Sequence, residues 1–106
     1  MSIILKKSKR PNKKFVVDTG DKKIYFGDSN YRDFLLMNDK KSKYYEPDKI
    51  ERERIKKNYR LRHKNDNLES PLSAGALSYY LLWNKPSLRK SISDYEKKFN
   101  IKIIFK

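Results

Sequence analysis

The pattern of hydrophobic and polar positions gives its strongest signal in the last third of the chain. Residues 70–84 (SPLSAGALSYYLLWN) contain no charged side chain. Their apolar residues occupy almost every face of a helix, which is typical of a helix buried on all sides. Ser70 suits the N-cap and Pro71 the first helical position. The pattern therefore predicts a central helix in the core, with Trp83 inside.

An amphipathic helix is predicted directly after this segment. Its apolar positions recur at i, i+4, i+7 and i+11, which places them on one face. Ser87 is suited to its N-cap and Asn100 to a left-handed C-cap. Together with the preceding helix it should form one contiguous core. The residues predicted for that core are Leu72, Ala76, Tyr80, Trp83, Leu88, Ile92, Tyr95 and Phe99.

The first quarter of the chain reads as a β-hairpin. Residues 15–17 and 22–26 are β-prone and flank a polar turn in which Gly20 can adopt a positive φ. Residues 101–105 are also β-prone. This last segment is predicted to pair with the hairpin or with the short apolar stretch at residues 3–5.

Two further helices are predicted between the hairpin and the central helix. A short one over residues 30–37 has Tyr31, Phe34 and Leu35 on its apolar side. A longer one begins near Pro47, carries carboxylates in its first turns and is strongly basic afterwards. Its apolar residues are too few for a wide buried stripe, so we expect it to be half exposed.

These elements predict the α+β class, with a small antiparallel sheet (hairpin plus terminal strand) packed on three to four helices. Residues 1–14 are predicted to be a flexible basic N-terminal arm, because residues 6–14 (KKSKRPNKK) are almost entirely polar. Residues 15–106 are predicted to form a single domain.

The charge of the chain changes the functional picture. Among 106 residues, 27 Lys and Arg stand against 13 Asp and Glu, a formal net charge of +14. Such an excess favours polyanionic partners: nucleic acid, acidic proteins or an anionic membrane surface. The chain has no cysteine, and its sequence shows neither a signal peptide nor a stretch long enough to span a membrane. These features favour an intracellular setting.

The cations concentrate in two regions, which we predict to contact phosphates. The arm is interpreted equally well as a solvated tail or as a phosphate-binding arm. In the basic helix an aromatic ring and an imidazole stand among the cations, a mixture suited to base stacking or to backbone contacts. The predicted nucleic-acid-binding residues are Lys6, Lys7, Lys9, Arg10, Lys13, Lys14, Arg52, Arg54, Lys56, Lys57, Tyr59, Arg60, Arg62, His63 and Lys64.

No catalytic residue, metal site or cofactor is predicted. The only histidine, His63, lies among cations, and a surface role is favoured over general-base catalysis. With one histidine and no cysteine a zinc site cannot be built, and three glycines leave no glycine-rich phosphate loop. The break before Ser87 resembles the turn of a helix-turn-helix that would present Arg89 and Lys90 to a groove. A purely structural turn is the favoured interpretation.

Several short motifs resemble a family of small basic proteins of nucleo-cytoplasmic large DNA viruses, including algal and amoebal giant viruses. The motifs lie between Lys22 and Ile103 and leave the basic arm outside. The resemblance implies a viral setting and brings no assigned activity. The motifs are Tyr25-Phe-Gly27, Tyr31-Arg-Asp-Phe34, Arg62-His63, Ser70-Pro-Leu-Ser-Ala-Gly-Ala-Leu-Ser78 and Leu81-Leu-Trp-Asn-Lys-Pro86.

Three hypotheses follow. The favoured one is a non-enzymatic viral protein that binds DNA or RNA with low sequence specificity. Such a protein is either packaged with the genome or acts in the viral factory. The alternative is a structural virion component, an internal capsid or cement protein, whose basic face meets acidic protein partners. A small nuclease is the least favoured, because the carboxylates show no recognisable spacing.

Overall fold

A four-stranded sheet forms one layer of the protein, which we describe from a computed structural model covering residues 1–106. The strands are β1 (Ser2–Lys7), β2 (Lys13–Asp18), β3 (Lys23–Asp28) and β4 (Lys102–Phe105). Their order across the sheet is β3-β2-β1-β4. The predicted hairpin is confirmed as β2 and β3, joined through a turn in which Gly20 has φ of 92°.

The helices follow the hairpin and pack on one side of the sheet. They are α1 (Phe34–Met37), α2 (Lys49–Arg62), α3 (Ala74–Leu77) and α4 (Leu88–Phe99). A π-helical turn (Ser78–Leu82) continues α3 without a break. The α+β class with helices packed on a small sheet is thus confirmed. None of these helices is both long and apolar enough to cross a membrane.

The prediction of a flexible arm over residues 1–14 is wrong. Ile3 and Leu5 are completely buried, and β1 lies inside the sheet between β2 and β4. Leu5 stands opposite Val17 and Ile3 opposite Ile103, so each apolar position of β1 has a partner on a neighbouring strand. Burial of these apolar side chains stabilises the strand, while the lysines that follow Leu5 remain exposed to solvent.

The sheet is mixed rather than antiparallel. β1 pairs antiparallel with β2 but parallel with β4. A parallel pair needs a long crossover connection, and here that connection comprises the hairpin and all the helices. The terminal strand therefore returns to the first strand, one of the two pairings that the sequence left open.

The core lies between the sheet and the helices. Trp83, Tyr95 and Ala76 are buried as predicted, and the other predicted core residues are partly buried against the same cluster. The sheet supplies nearly half of this cluster. Its strand and adjoining members are Ile3, Leu5, Val17, Phe26, Ile101 and Ile103.

The central helix is shorter than its apolar pattern predicts. Its N-cap is Ser73, whose hydroxyl accepts a hydrogen bond from the backbone N–H of Ala76. The carbonyl of Pro71 accepts a hydrogen bond of 2.6 Å from the Tyr95 hydroxyl, so residues 70–72 form an anchored turn. The predicted caps of α4 are confirmed: Ser87 caps its N-terminus and Asn100 follows it with φ of 54°.

The prediction for the short helix needs two corrections. It begins at Phe34 rather than near residue 30, because the carboxylate of Asp33 accepts from the backbone N–H of Leu36 as N-cap. Tyr31 therefore lies in the loop before the helix and is 68% exposed rather than on a buried face. The loop projects Tyr31 and Arg32 outward.

Candidate nucleic-acid interface

A cleft of about 690 Å³ separates α2 from the strand ends of β2 and β3. Phe26, Leu82 and Trp83, all buried, lie at its floor. Both predicted basic regions contribute to its walls. The sheet side contributes Lys13, Lys14, Asp28, Tyr31 and Arg32, and α2 with the residues after it contributes Arg54, Asn58, Tyr59, Arg62, His63 and Asp66.

The helical period of α2 sorts its side chains into three rows. Ile55 and Tyr59 form the row that packs on the core. The row along the cleft consists of Arg54, Asn58 and Arg62, at positions i, i+4 and i+8. No residue of α2 is fully buried, as predicted for a half-exposed helix. The third row, Lys56 and Arg60, faces the C-terminal end of the π-helical turn.

This third row holds the helix in place. The guanidinium Nη1 of Arg60 donates to the carbonyls of Trp83 (2.9 Å) and Tyr79 (3.4 Å), and Lys56 Nζ donates to that of Asn84 (3.0 Å). Carbonyls at a helix C-terminus lack intrahelical donors and carry partial negative charge, so cations stabilise them. Lys56 and Arg60, predicted to contact phosphates, are therefore engaged within the fold.

Lys14 is likewise engaged. Its Nζ lies 2.7 Å from Asp33 Oδ2 and donates to the carbonyl of Tyr31, also at 2.7 Å. Asp33 is buried, and a buried carboxylate requires such a partner. Lys14 lines the cleft, but its charge is neutralised there.

Two other predicted arginines of α2 have internal partners. Arg52 donates to the carbonyl of Glu46 at 2.6 Å. Arg54 makes a two-pronged ion pair with Glu51, one bond of which measures 3.0 Å. Hydrogen bonding by Arg54 lowers the pKa of the exposed Glu51 carboxyl, and Glu51 in turn raises the pKa of Arg54. Because this pair is exposed, it can open at little cost.

An aromatic stack leads from the core to the cleft. The ring of Tyr59 lies 4.2 Å from that of Trp83, nearly parallel to it, and 4.2 Å from that of His63 on its other side. His63 Nδ1 is 2.8 Å from Asp66 Oδ2. Burial, with a further contribution from Asp66, raises the pKa of Tyr59 to about 12, so the phenol is neutral at physiological pH. Tyr59 thus has a structural role between the two neighbouring rings, and His63 is the solvent-exposed end of the stack.

Three cations of the cleft have no hydrogen-bonding or ion-pair partner in the protein: Lys13, Arg32 and Arg62. They come from β2, from the loop after β3 and from α2, and converge on one concavity. Its carboxylates are Asp28 and Asp66, the latter paired with His63. The unpaired charge of the cleft is therefore positive.

The remaining predicted residues do not line this cleft. Lys6 follows the buried Leu5 in β1, so it projects from the face of the sheet opposite the core. The guanidinium of Arg10 lies 3.8 Å from the centre of the Tyr25 ring. These positions form a scattered basic periphery. The predicted residues outside the cleft are Lys6, Lys7, Lys9, Arg10, Arg52, Lys56, Lys57, Arg60 and Lys64.

Sequence reasoning missed Tyr31 and Arg32. The helical period of Phe34 and Leu35 predicts that Tyr31 lies on the same buried helix face. The signal that could have separated them is Asp33, a good N-cap, which places the two preceding residues outside the helix. No group of His, Cys, Asp and Glu side chains is placed to hold a metal ion.

Comparison with known protein families gives a match in the first part of the chain. Residues 3–45 match the model of a family of unknown function (DUF5754). That segment contains all of β1 but its first residue, β2, β3, α1 and the sheet side of the cleft, including Lys13, Tyr31 and Arg32. Neither the curated proteins nor the solved structures gave a match. Over residues 3–45 the chain is similar to that family, whose description assigns no function, and the viral setting implied by the sequence motifs stays a prediction.

Proposed function

We propose that the protein is a non-enzymatic nucleic-acid-binding protein of low sequence specificity and that the cleft beside α2 is its principal site. The observation that supports this most directly is the convergence of Lys13, Arg32 and Arg62. Three segments far apart in the sequence bring unpaired cations to one concave surface. A surface whose charges serve only solubility has no need of such convergence.

Phosphate is the group that these side chains fit. Arginine and lysine neutralise backbone phosphates and release the condensed counterions, which gives affinity without sequence information. The scattered lysines outside the cleft add to the long-range field of the net charge and steer polyanions toward the protein. Low specificity follows, because the free side chains of the cleft are mostly cations.

The motif resemblance extends this proposal to a viral setting, in which the protein accompanies the genome or acts in the viral factory. The alternative, a structural virion protein with acidic protein partners, uses the same excess of positive charge. The two differ in what binds at the cleft. Binding of a phosphate backbone requires the three cleft cations, and its affinity falls with salt in proportion to the number of phosphate contacts.

The test is a binding titration with labelled random-sequence oligonucleotides across a salt series. Three phosphate contacts predict a slope of log K against log salt of roughly −2.1 to −2.7, which is a loss of roughly 20- to 40-fold between 50 and 200 mM. The triple variant Lys13→Glu, Arg32→Glu and Arg62→Glu should lose binding and keep its unfolding midpoint, because none of these side chains bonds within the fold.

The matched control carries Arg89→Glu, Lys90→Glu and Lys97→Glu on α4. It changes the net charge by the same amount but leaves the cleft intact, and it should retain near-wild-type affinity. Loss of binding in this control alone would move the interface to α4, as in the helix-turn-helix interpretation. Failure of the wild-type protein to bind DNA or RNA would overturn the proposal and favour the structural-protein alternative.

A further inference from the structure

We infer that the cleft accepts unpaired nucleotides, so that the polymer bound is single-stranded and its bases stack in the cleft. This inference rests on the proposed nucleic-acid binding and adds the form of the nucleic acid to it. It is carried by the position of Tyr31 among the free cations and by the concave shape of the site.

Tyr31 presents an unoccupied aromatic face. The residue is 68% exposed, lines the cleft and precedes Arg32 directly in the loop. Its backbone is held on both sides: its N–H donates to the carbonyl of Asp28 at 3.2 Å, and its carbonyl accepts from Lys14. An exposed ring on an anchored backbone, beside cations, is the arrangement on which single-stranded nucleic acids stack.

A second aromatic surface lies in the same cleft. One face of the His63 imidazole packs on Tyr59, and its side chain is 38% exposed. Asp66 orients the ring through its 2.8 Å contact with Nδ1. Arg62, one residue earlier, lines the cleft beside it. At two places in the cleft, an aromatic ring is adjacent in the sequence to a free cation: Tyr31-Arg32 and Arg62-His63.

The shape of the site favours a single strand over the side of a duplex. Reading the bases of a duplex requires a protein element that enters a groove, whereas here the protein surface is recessed. A cleft of about 690 Å³ is in the size range of small-molecule sites, so it suits one or two nucleotides. In a duplex both faces of each base are stacked inside the helix, and only unpaired bases can lie on Tyr31 or His63.

The experiment compares four probes at equal salt: a single-stranded oligothymidylate, an abasic single strand of the same length, a duplex of that length and thymidine monophosphate. Fluorescence anisotropy measures affinity for the labelled polymers, and calorimetry measures it for the mononucleotide. We expect the oligothymidylate to bind most tightly. Tyr31→Ala should weaken its binding roughly 5- to 150-fold, the range for one base stacked on an aromatic ring.

Tyr31→Phe is the matched control, because it keeps the ring and removes only the hydroxyl. It should bind like the wild type, while both variants keep the wild-type affinity for the abasic strand. Equal affinity for oligothymidylate and the abasic strand, or for the duplex, would overturn the inference and leave the phosphate-binding function intact. If thymidine monophosphate bound as tightly as the oligothymidylate, the inference would be overturned in favour of a site for a free nucleotide. Binding of no probe would overturn the proposed function itself.

Discussion

Arg60 donates a 2.9 Å hydrogen bond from its guanidinium to the backbone carbonyl of Trp83, twenty-three positions further along the chain. Its guanidinium also lies 4.0 Å from the centre of the Tyr79 ring. Arg62, two residues later on the same helix, faces the cleft and has no partner. Two arginines of one basic helix thus have opposite roles, one inside the fold and one available to a ligand.

The first prediction separates these roles. Arg60→Ala leaves carbonyls at the end of the π-helical turn without a donor and should lower the free energy of unfolding by about 1–3 kcal/mol. Arg62→Ala should change it by less than about 0.5 kcal/mol but weaken oligonucleotide binding. Urea unfolding and anisotropy on both variants measure the difference. Equal effects on stability would contradict the assignment.

The second prediction concerns the Lys14–Asp33 ion pair. Lys14→Met leaves a buried carboxylate without its counter-charge and should cost about 3–5 kcal/mol of stability. Adding Asp33→Asn should recover part of this loss, since the amide oxygen can still cap α1. Lys13→Met is the neighbouring control and should be nearly neutral in chemical unfolding. If both methionine variants were equally stable, the pair would not be structural.

The third prediction concerns Gly27, which has φ of 78°. A Cβ placed there would lie 2.8 Å from Leu82 Cδ1. Gly27→Ala should therefore lower the free energy of unfolding by about 1–2 kcal/mol for the left-handed backbone, and by a further amount for the clash. Gly20→Ala is the matched control, because Gly20 also has positive φ but no atom within 4 Å of the added Cβ. The midpoint temperature of thermal unfolding should be lower for Gly27→Ala than for Gly20→Ala.

The fourth prediction is a loss of stability at alkaline pH. Burial raises the pKa of Tyr59 and of Tyr95 to about 12, against about 10 in the unfolded chain. Below pH 10 both states hold the phenol protons. Between about pH 10 and 12 only the folded state holds them, so the free energy of unfolding should fall by up to about 2–3 kcal/mol per tyrosine.

Tyr59→Phe isolates this effect, because the Tyr59 hydroxyl makes no hydrogen bond within the protein whereas that of Tyr95 bonds to Pro71. The variant differs from the wild type only at this hydroxyl, so the comparison cancels the contributions that the two proteins share. The variant should lose less stability than the wild type across this window in urea unfolding. Parallel curves for the two proteins would contradict a raised pKa at Tyr59.

The fifth prediction concerns Trp83, which is 7% exposed and stacked on Tyr59. Trp83→Ala should lower the free energy of unfolding by about 3–5 kcal/mol through loss of burial and creation of a cavity. Leu61→Ala, at a 54% exposed position of α2, should have little effect. Urea unfolding of both variants gives the comparison, and a neutral Trp83→Ala would contradict a core position.

Sequence reasoning predicted well where the signal is local. The hairpin follows from β-prone residues around a turn, and α4 follows from its apolar spacing and its caps at Ser87 and Asn100. It was wrong where one local signal hid another. The lysines after Leu5 suggested an arm although Ile3 and Leu5 alternate as in a strand, and the helical period of Tyr31 hid the N-cap at Asp33.

What the sequence determined by itself was the α+β class, the buried segment around Trp83 and the large excess of positive charge, because these depend on composition and on spacing within one element. Only the tertiary structure decided which cations are free. Lys14 and Arg60 meet their partners Asp33 and Trp83 across nineteen and twenty-three positions. Such pairing depends on how distant elements pack, and the same packing brings Lys13, Arg32 and Arg62 to one cleft.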